Sequence, residues 1–142
     1  MKVCKLLFLT AGLTLLLAAC APATPAPAAP DPTRESGLGA ISGQIPNAAE
    51  LWPDEEVTVY AAAYTPVGGG GGMYTLEPYK APQALVAADG SFYVNNISPG
   101  SYVLVIGPEP ARARLAVDET DKARVFEVTT DLIQAGQITL AR

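Results

Sequence analysis

The chain contains no histidine and only two cysteines among its 142 residues. The absence of histidine excludes Ser-His-Asp and Cys-His nucleophile systems and removes the commonest zinc ligand. Cys4 and Cys20 both lie near the amino terminus, so the rest of the chain has no thiol for a disulfide framework or for nucleophilic catalysis. The residue types do allow hydrolysis by a pair of carboxylates, because Asp and Glu are plentiful, although their spacing in the sequence does not identify a particular pair. We therefore expect a protein that is not an enzyme.

Positive charge is also scarce. The chain has 9 Lys and Arg residues against 14 Asp and Glu residues, which gives a formal net charge of −5. A chain of this charge has no electrostatic attraction to nucleic acid or to anionic lipid head groups. We expect no nucleic-acid partner, and any membrane attachment must come from something other than a basic patch.

The amino-terminal segment is typical of an export signal. Lys2 and Lys5 precede an apolar core over Leu6–Leu17, which small residues follow. Because a membrane-spanning helix needs about 20 apolar residues, this core is short and favours a cleaved signal peptide. A buried helix or a retained membrane anchor is the alternative.

The apolar core ends in Leu17-Ala18-Ala19-Cys20. This sequence resembles the lipobox of bacterial lipoproteins. The resemblance implies that residues 1–19 are removed, that Cys20 carries a diacylglycerol thioether, and that the new amino terminus is often acylated. Two or three acyl chains hold a protein on a membrane where a single chain does not. We expect a cell-envelope location: the outer membrane where the cell has one, because Ala21 is not the aspartate of inner-membrane retention, and otherwise the outer face of the cytoplasmic membrane.

Residues 20–37 form the predicted tether. Proline recurs every two or three residues between Ala21 and Glu35. Such spacing blocks helices and strand ladders and favours extended polyproline II. At about 3.1 Å per residue, the segment could hold a domain up to roughly 45 Å from the lipid.

Residues 38–142 contain short apolar runs separated by turn residues, with no sustained helical periodicity. Asp89-Gly90 and Pro99-Gly100 are the clearest turn signals, and Asp89-Gly90 predicts a hairpin between the runs on either side. Tyr102–Ile106 is apolar on both faces, which predicts a central strand, whereas Ala111–Lys122 is interpreted as a loop. The pattern predicts one all-β domain, a seven-stranded antiparallel β-sandwich of the transthyretin-like or immunoglobulin-like type. The expected strands are Ile41–Ile45, Glu56–Tyr64, Ala84–Ala87, Ser91–Asn95, Ser101–Ile106, Ala123–Val128 and Gln137–Leu140.

The order of these segments resembles the carboxypeptidase regulatory-like domains, which are transthyretin-like sandwiches. The most specific features are Asp89-Gly90-Ser91-Phe92 and Pro99-Gly100-Ser101-Tyr102, after a first strand that contains Gly43. The resemblance implies a non-catalytic accessory, spacer or adhesion module in which the glycines form turns and Phe92 and Tyr102 are core aromatics. The segment from Thr65 to Pro82 is longer than this pattern requires.

Several tyrosines are candidate ligand contacts, because tyrosine is enriched at contact sites. Tyr60, Tyr64 and Tyr93 fall on the strand faces opposite the predicted core, where they contact a partner or form ordinary cross-strand pairs. The glycine run Gly68–Gly72 predicts either a mobile surface loop or an adaptable binding loop. The binding residues that such a loop would carry are Met73, Tyr74 and Tyr79. The partner that these residues would contact is an envelope protein, a glycan or a peptide.

Two acidic runs complete the candidates. Asp54-Glu55-Glu56 and Asp118-Glu119-Thr120-Asp121 could supply oxygen ligands to calcium, but neither matches an EF-hand loop, and solvated turns are the simpler interpretation. We expect no metal and no cofactor. The leading hypothesis is a non-enzymatic, lipid-anchored accessory, spacer or protein-interaction module of the cell envelope, and the alternative is a glycan- or peptide-binding lipoprotein.

Overall fold

The computed structural model describes residues 34–69 and 71–142. The predicted signal peptide, the predicted lipidation residue Cys20 and the tether up to residue 33 lie outside the described residues. The described chain forms ten strands, one short helix and one 3₁₀ turn. The strands are β1 (Gly39–Gln44), β2 (Thr58–Val67), β3 (Gly71–Thr75), β4 (Gln83–Leu85), β5 (Ser91–Ile97), β6 (Gly100–Gly107), β7 (Arg114–Val117), β8 (Val125–Val128), β9 (Leu132–Gln137) and β10 (Thr139–Leu140). The helix α1 spans Ala48–Leu51, and the 3₁₀ turn spans Pro110–Arg112.

These strands form two sheets. The smaller sheet has the order β5-β1-β9, and the larger has the order β10-β7-β6-β2-β3, with β4 paired to β2 and β8 paired to β6. Apolar side chains from both sheets share one buried cluster, whose largest members include Ile41, Ile97, Leu104 and Ile106. Burial of this apolar surface between two sheets is the main stabilising term of a sandwich. The predicted all-β sandwich is confirmed.

The strand count and one pairing differ from the sequence-based expectation. Every described pair is antiparallel except β1 with β9, which is parallel. The predicted loop Ala111–Lys122 is wrong, since this segment contains part of the 3₁₀ turn and all of β7. The predicted last strand, Gln137–Leu140, contains the end of β9 and the whole of β10. The chain crosses from the smaller to the larger sheet at Ile138, whose N–H donates to the Gln44 carbonyl oxygen at 2.8 Å.

Strands β2 and β6 are adjacent and are buried on both faces over Val59–Ala62 and Val103–Ile106. Their inner faces contribute Val59, Ala61, Leu104 and Ile106 to the core between the sheets. Their outer faces form a second buried group, called here the outer cluster, which consists of Tyr60, Ala62, Val103 and Val105. The central position predicted for Tyr102–Ile106 is confirmed, because β6 lies between β2 and the β7 and β8 pairings.

The Asp89-Gly90 turn joins the two sheets. Gly90 has a φ of +83°, the left-handed region that favours glycine. The Asp89 carboxylate accepts hydrogen bonds from the Ser91 N–H at 2.9 Å and the Ser91 hydroxyl at 2.6 Å. The predicted turn is confirmed, but the strands on either side of it do not form a hairpin, because β4 pairs with β2 and β5 pairs with β1.

Candidate interaction surface

The structure distributes the five candidate tyrosines over different environments. Tyr60 belongs to the outer cluster and is only 7% exposed, so its ring is not a free contact surface. Tyr64 is partly buried against the same cluster, whereas Tyr74 is 48% exposed on β3. Tyr93 lies on β5, in the smaller sheet, opposite Ser42. The five side chains therefore do not form one exposed face.

Tyr64 and Tyr74 are brought together by strand register. They are directly opposite each other in the antiparallel β2–β3 pair. The Tyr64 ring also lies over Gly72, where a Cβ would come within 2.1 Å of the Tyr64 Cζ atom. An aromatic ring that covers a glycine near a sheet edge replaces the packing that the missing side chain does not supply. The tyrosine pair thus stabilises the hairpin, and Tyr74 keeps an exposed part beside it.

Tyr79 lies in the connection between β3 and β4 and is fully exposed, at 100%. It lines an open groove of about 550 Å³ at the start of β2, with Tyr60 on its wall. Among the other residues of this groove, Pro78, Leu85 and Pro110 are apolar. Aromatic and proline side chains offer flat apolar surface, which suits a sugar ring or an extended peptide.

The glycine run lies in a hairpin, with Gly71 and Gly72 in β3. Strands β2 and β3 pair from Ala63 with Thr75 to Val67 with Gly71, and Gly68 and Gly69 form a turn directly after β2. Every residue of β3 is exposed, and Met73 is 67% exposed. The sequence interpretation missed β3, although two runs separated by a short glycine-containing segment are a hairpin signal.

One carboxylate in each acidic run has protein partners. The Asp118 carboxylate accepts hydrogen bonds from the Thr120 N–H at 2.8 Å, the Thr120 hydroxyl at 2.7 Å and the Lys122 N–H at 3.2 Å. Glu55 forms a two-bond ion pair with Arg112, at 2.7 Å for each bond, which links the segment before β2 to the 3₁₀ turn. Within residues 34–69 and 71–142, no group of three or more His, Cys, Asp or Glu residues could hold a metal ion.

Three described carboxylates, one in each acidic run and one in the Asp89-Gly90 turn, have a lowered pKa. Hydrogen bonds from Arg112 lower the pKa of Glu55, those from Ser91 lower the pKa of Asp89, and those from Thr120 lower the pKa of Asp118. A hydrogen bond or a nearby positive charge that favours the ionised form has this effect. None of these three groups has the raised pKa that a general acid uses near neutral pH.

The lowered pKa values predict a loss of stability in acid. A carboxylate with a lower pKa in the folded chain stabilises the fold above its ordinary pKa, and this contribution is lost as the pH falls through the folded value. We expect a constant unfolding midpoint between about pH 7 and about pH 5 and a decrease below about pH 4. The measurement is urea unfolding followed by the fluorescence of Trp52, the single tryptophan, which is 5% exposed.

The matched control for this measurement is Asp89→Asn, which keeps an acceptor oxygen but does not ionise. Its unfolding midpoint should fall less steeply in acid than that of the unsubstituted chain. Identical acid profiles for the two proteins would contradict a contribution from Asp89.

Comparison with known proteins gives no relative from which a function could be transferred. No protein-family model, no curated protein and no solved structure matches the chain. Within the described part of the chain, no helix has the length and apolar character needed to cross a membrane. Any assignment of function therefore depends on the residues themselves.

Proposed function

We propose that the protein is a non-enzymatic, lipid-anchored module of the cell envelope that holds a β-sandwich away from the membrane for contact with another envelope component. The observation that carries this proposal is the order of three segments along one chain. Leu17-Ala18-Ala19-Cys20 follows a short apolar core, an Ala/Pro-rich segment comes next, and the sandwich follows it. Lipid, spacer and module in this order suit presentation of a domain at a membrane surface.

The described chain joins the sandwich a few residues after the proline-rich sequence. The Glu35 N–H donates a hydrogen bond to the Asn96 side-chain oxygen at 3.0 Å, and the Leu38 N–H donates to the Glu35 carbonyl oxygen at 3.2 Å. Strand β1 begins just beyond, at Gly39. Among the described residues, the chain is thus held to the sandwich from Glu35 onward.

The proposal of a non-enzymatic module is supported by the lack of the side chain that most often serves as acid or base near neutral pH. Histidine is absent from the sequence. Among the described residues, the carboxylates with a resolved shift all have a lowered pKa. The resemblance of the Asp89-Gly90-Ser91-Phe92 and Pro99-Gly100-Ser101-Tyr102 segments to carboxypeptidase regulatory-like domains implies the same accessory role.

Binding of a glycan or an extended peptide is the second candidate function. The fully exposed Tyr79 favours it, because this ring borders the groove with Pro78, Leu85 and Pro110. A glycan that binds the chain, and binds a Tyr79→Ala variant more weakly, would favour this candidate over a purely structural spacer.

The intact mass of the natively expressed protein tests the lipid anchor. We expect a mature chain that begins at Cys20 and carries the additional mass of two or three acyl chains. An unmodified chain at the full 14.7 kDa would contradict both the cleavage and the lipidation.

A further inference from the structure

Strand β3 ends the larger sheet, and part of its backbone is directed away from the sheet. The Ala61 N–H donates to the Pro82 carbonyl oxygen at 2.8 Å, on the side of β2 that β3 and β4 occupy. In an antiparallel ladder, alternate residues of a strand direct their backbone N–H and C=O groups to the same side, so Thr65 faces β3 as Ala61 does. Thr65 is paired with Met73, and the backbone of Met73 therefore bonds to β2. The N–H and C=O groups of Gly72 and Tyr74 therefore point to the open edge.

The two edges of the β2–β3 hairpin differ in their protection. On the β2 side, the same alternation places Pro66 at a position whose backbone would face an added strand. Proline has no N–H to donate, and proline or charged side chains commonly protect sheet edges from further pairing. On the β3 side there is no proline and no charged residue.

The sequence that contains β2 and β3 has no charged residue over a long stretch. No residue between Val57 and Leu76 carries a charge, although the chain as a whole has a formal net charge of −5. The nearest acidic residue along the chain, Glu77, forms an ion pair with Lys80 at 2.6 Å. The edge therefore selects neither a basic nor an acidic partner, and two copies of it can approach without local repulsion.

We propose that the open edge of β3 pairs antiparallel with β3 of a second copy of this chain, with Met73 on the two-fold axis. In this register, Gly72 pairs with Tyr74 of the second copy and Tyr74 with its Gly72, and each pair exchanges both N–H···O bonds. The two outward-facing residues of β3 thus satisfy one another by symmetry. The inference does not depend on the lipid anchor.

The side chains fit the same register. Met73, at 67% exposure the most exposed large hydrophobic residue described in β2 or β3, meets its own copy across the axis, where the Cβ atoms of a directly opposed pair lie about 5 Å apart. The Tyr74 ring of each copy lies opposite Gly72 of the other copy, beside the Tyr64 ring that covers this glycine. An interface of two five-residue strands buries less than about 1,200 Å², so we expect a weak dimer with a dissociation constant on the order of 10–100 μM.

Opposite charges at position 73 test both the surface and the register. The purified full chain in detergent should show a concentration-dependent dimer in sedimentation velocity. Met73→Lys and Met73→Glu each place like charges face to face, and either variant alone should dimerise at least about tenfold more weakly. An equimolar mixture of the two should recover dimerisation to within about threefold of the unsubstituted chain, because the opposed charges now attract.

The control is Leu132→Lys, which adds the same charge on β9 in the other sheet and should leave dimerisation unchanged. The Trp52 unfolding midpoint of each variant checks that the fold is retained. A chain that stays monomeric at about 1 mM, a dimer unaffected by charge at position 73, or a mixture that fails to recover would each overturn the proposal. The proposal would also be overturned if another protein, or residues 21–33 of this chain, were found to occupy the edge of β3 in place of a second copy.

Discussion

A Cys20→Ala variant is expected to leave the membrane fraction almost completely. Each buried methylene contributes about 0.8 kcal/mol, and a single myristoyl chain gives only marginal binding, near 10⁴ M⁻¹. Two or three chains on one residue make the attachment stable, and the acidic chain has no basic patch to replace them. Loss of the thiol should therefore remove the whole anchor, and membrane fractionation with immunodetection measures it.

Cys4→Ala is the matched control, because it removes the only other cysteine from a position that the signal peptide would take with it. This variant should fractionate and be processed as the unsubstituted protein. If Cys20→Ala remained in the membrane fraction as a processed chain, the lipid would not be the anchor. If it remained there as an unprocessed chain, the apolar segment Leu6–Leu17 could itself hold the protein, and intact mass separates the two cases.

A Gly90→Ala substitution is expected to destabilise the sandwich by about 2–4 kcal/mol. The left-handed φ of +83° accounts for about 1–2 kcal/mol of this for a residue with a Cβ. The remainder comes from crowding, because the added Cβ would lie 2.5 Å from the Ile45 carbonyl oxygen. The Gly90 carbonyl oxygen accepts a hydrogen bond from the Ile45 N–H at 2.8 Å. Gly90 therefore cannot move away from Ile45 without weakening the junction between the sheets.

Gly37→Ala separates the two contributions to this loss. Gly37 has nearly the same φ, +85°, but a Cβ there would meet nothing within 4 Å. It should lower the free energy of unfolding by only about 1–2 kcal/mol. Urea unfolding followed by Trp52 fluorescence gives both values, and equal losses would show that the contact with Ile45 does not matter.

The core strands could be predicted from the sequence because their signals are local. Tyr102–Ile106 is apolar at every position, and the structure buries Val103 and Leu104 in different clusters on opposite faces of β6. The Asp89-Gly90 turn is likewise a local property, since glycine permits the φ that the turn requires. Phe92 is 5% exposed in the core, as predicted, whereas Tyr102 is partly buried against it.

Two of the strands that the sequence interpretation missed, β7 and β9, depend on partners that the local sequence does not identify. Strand β9 is interrupted by Gly136 near its end and pairs in parallel with β1, from which it is separated by most of the domain. Strand β7 has only four residues, two of them buried against other elements. Neither segment has enough alternation for a local pattern to identify a strand, and each becomes one through hydrogen bonds that only the folded chain supplies.

The candidate tyrosines also combine properties that the local sequence predicts with properties that depend on the tertiary structure. From sequence, Tyr60, Tyr64 and Tyr93 share the property of lying opposite the core, which is correct for each strand taken separately. Only the sheet assignment separates Tyr93 from the others, and only packing across β2 and β6 buries Tyr60. Side-chain direction follows from a period of two along one strand, whereas exposure depends on what covers that face.

By itself, the sequence determined the all-β class, the turn at Gly90, the central position of β6 and the predictions of an export signal, lipidation at Cys20 and a proline-rich tether. The physical reason is that hydrophobic alternation, backbone φ preferences and short motifs act between residues close in the chain. The tertiary structure alone decided the parallel β1–β9 pair, the burial of Tyr60 and the open edge of β3. Each of these depends on which distant strand completes the hydrogen bonds or covers the surface, and residues close in the chain do not fix that choice.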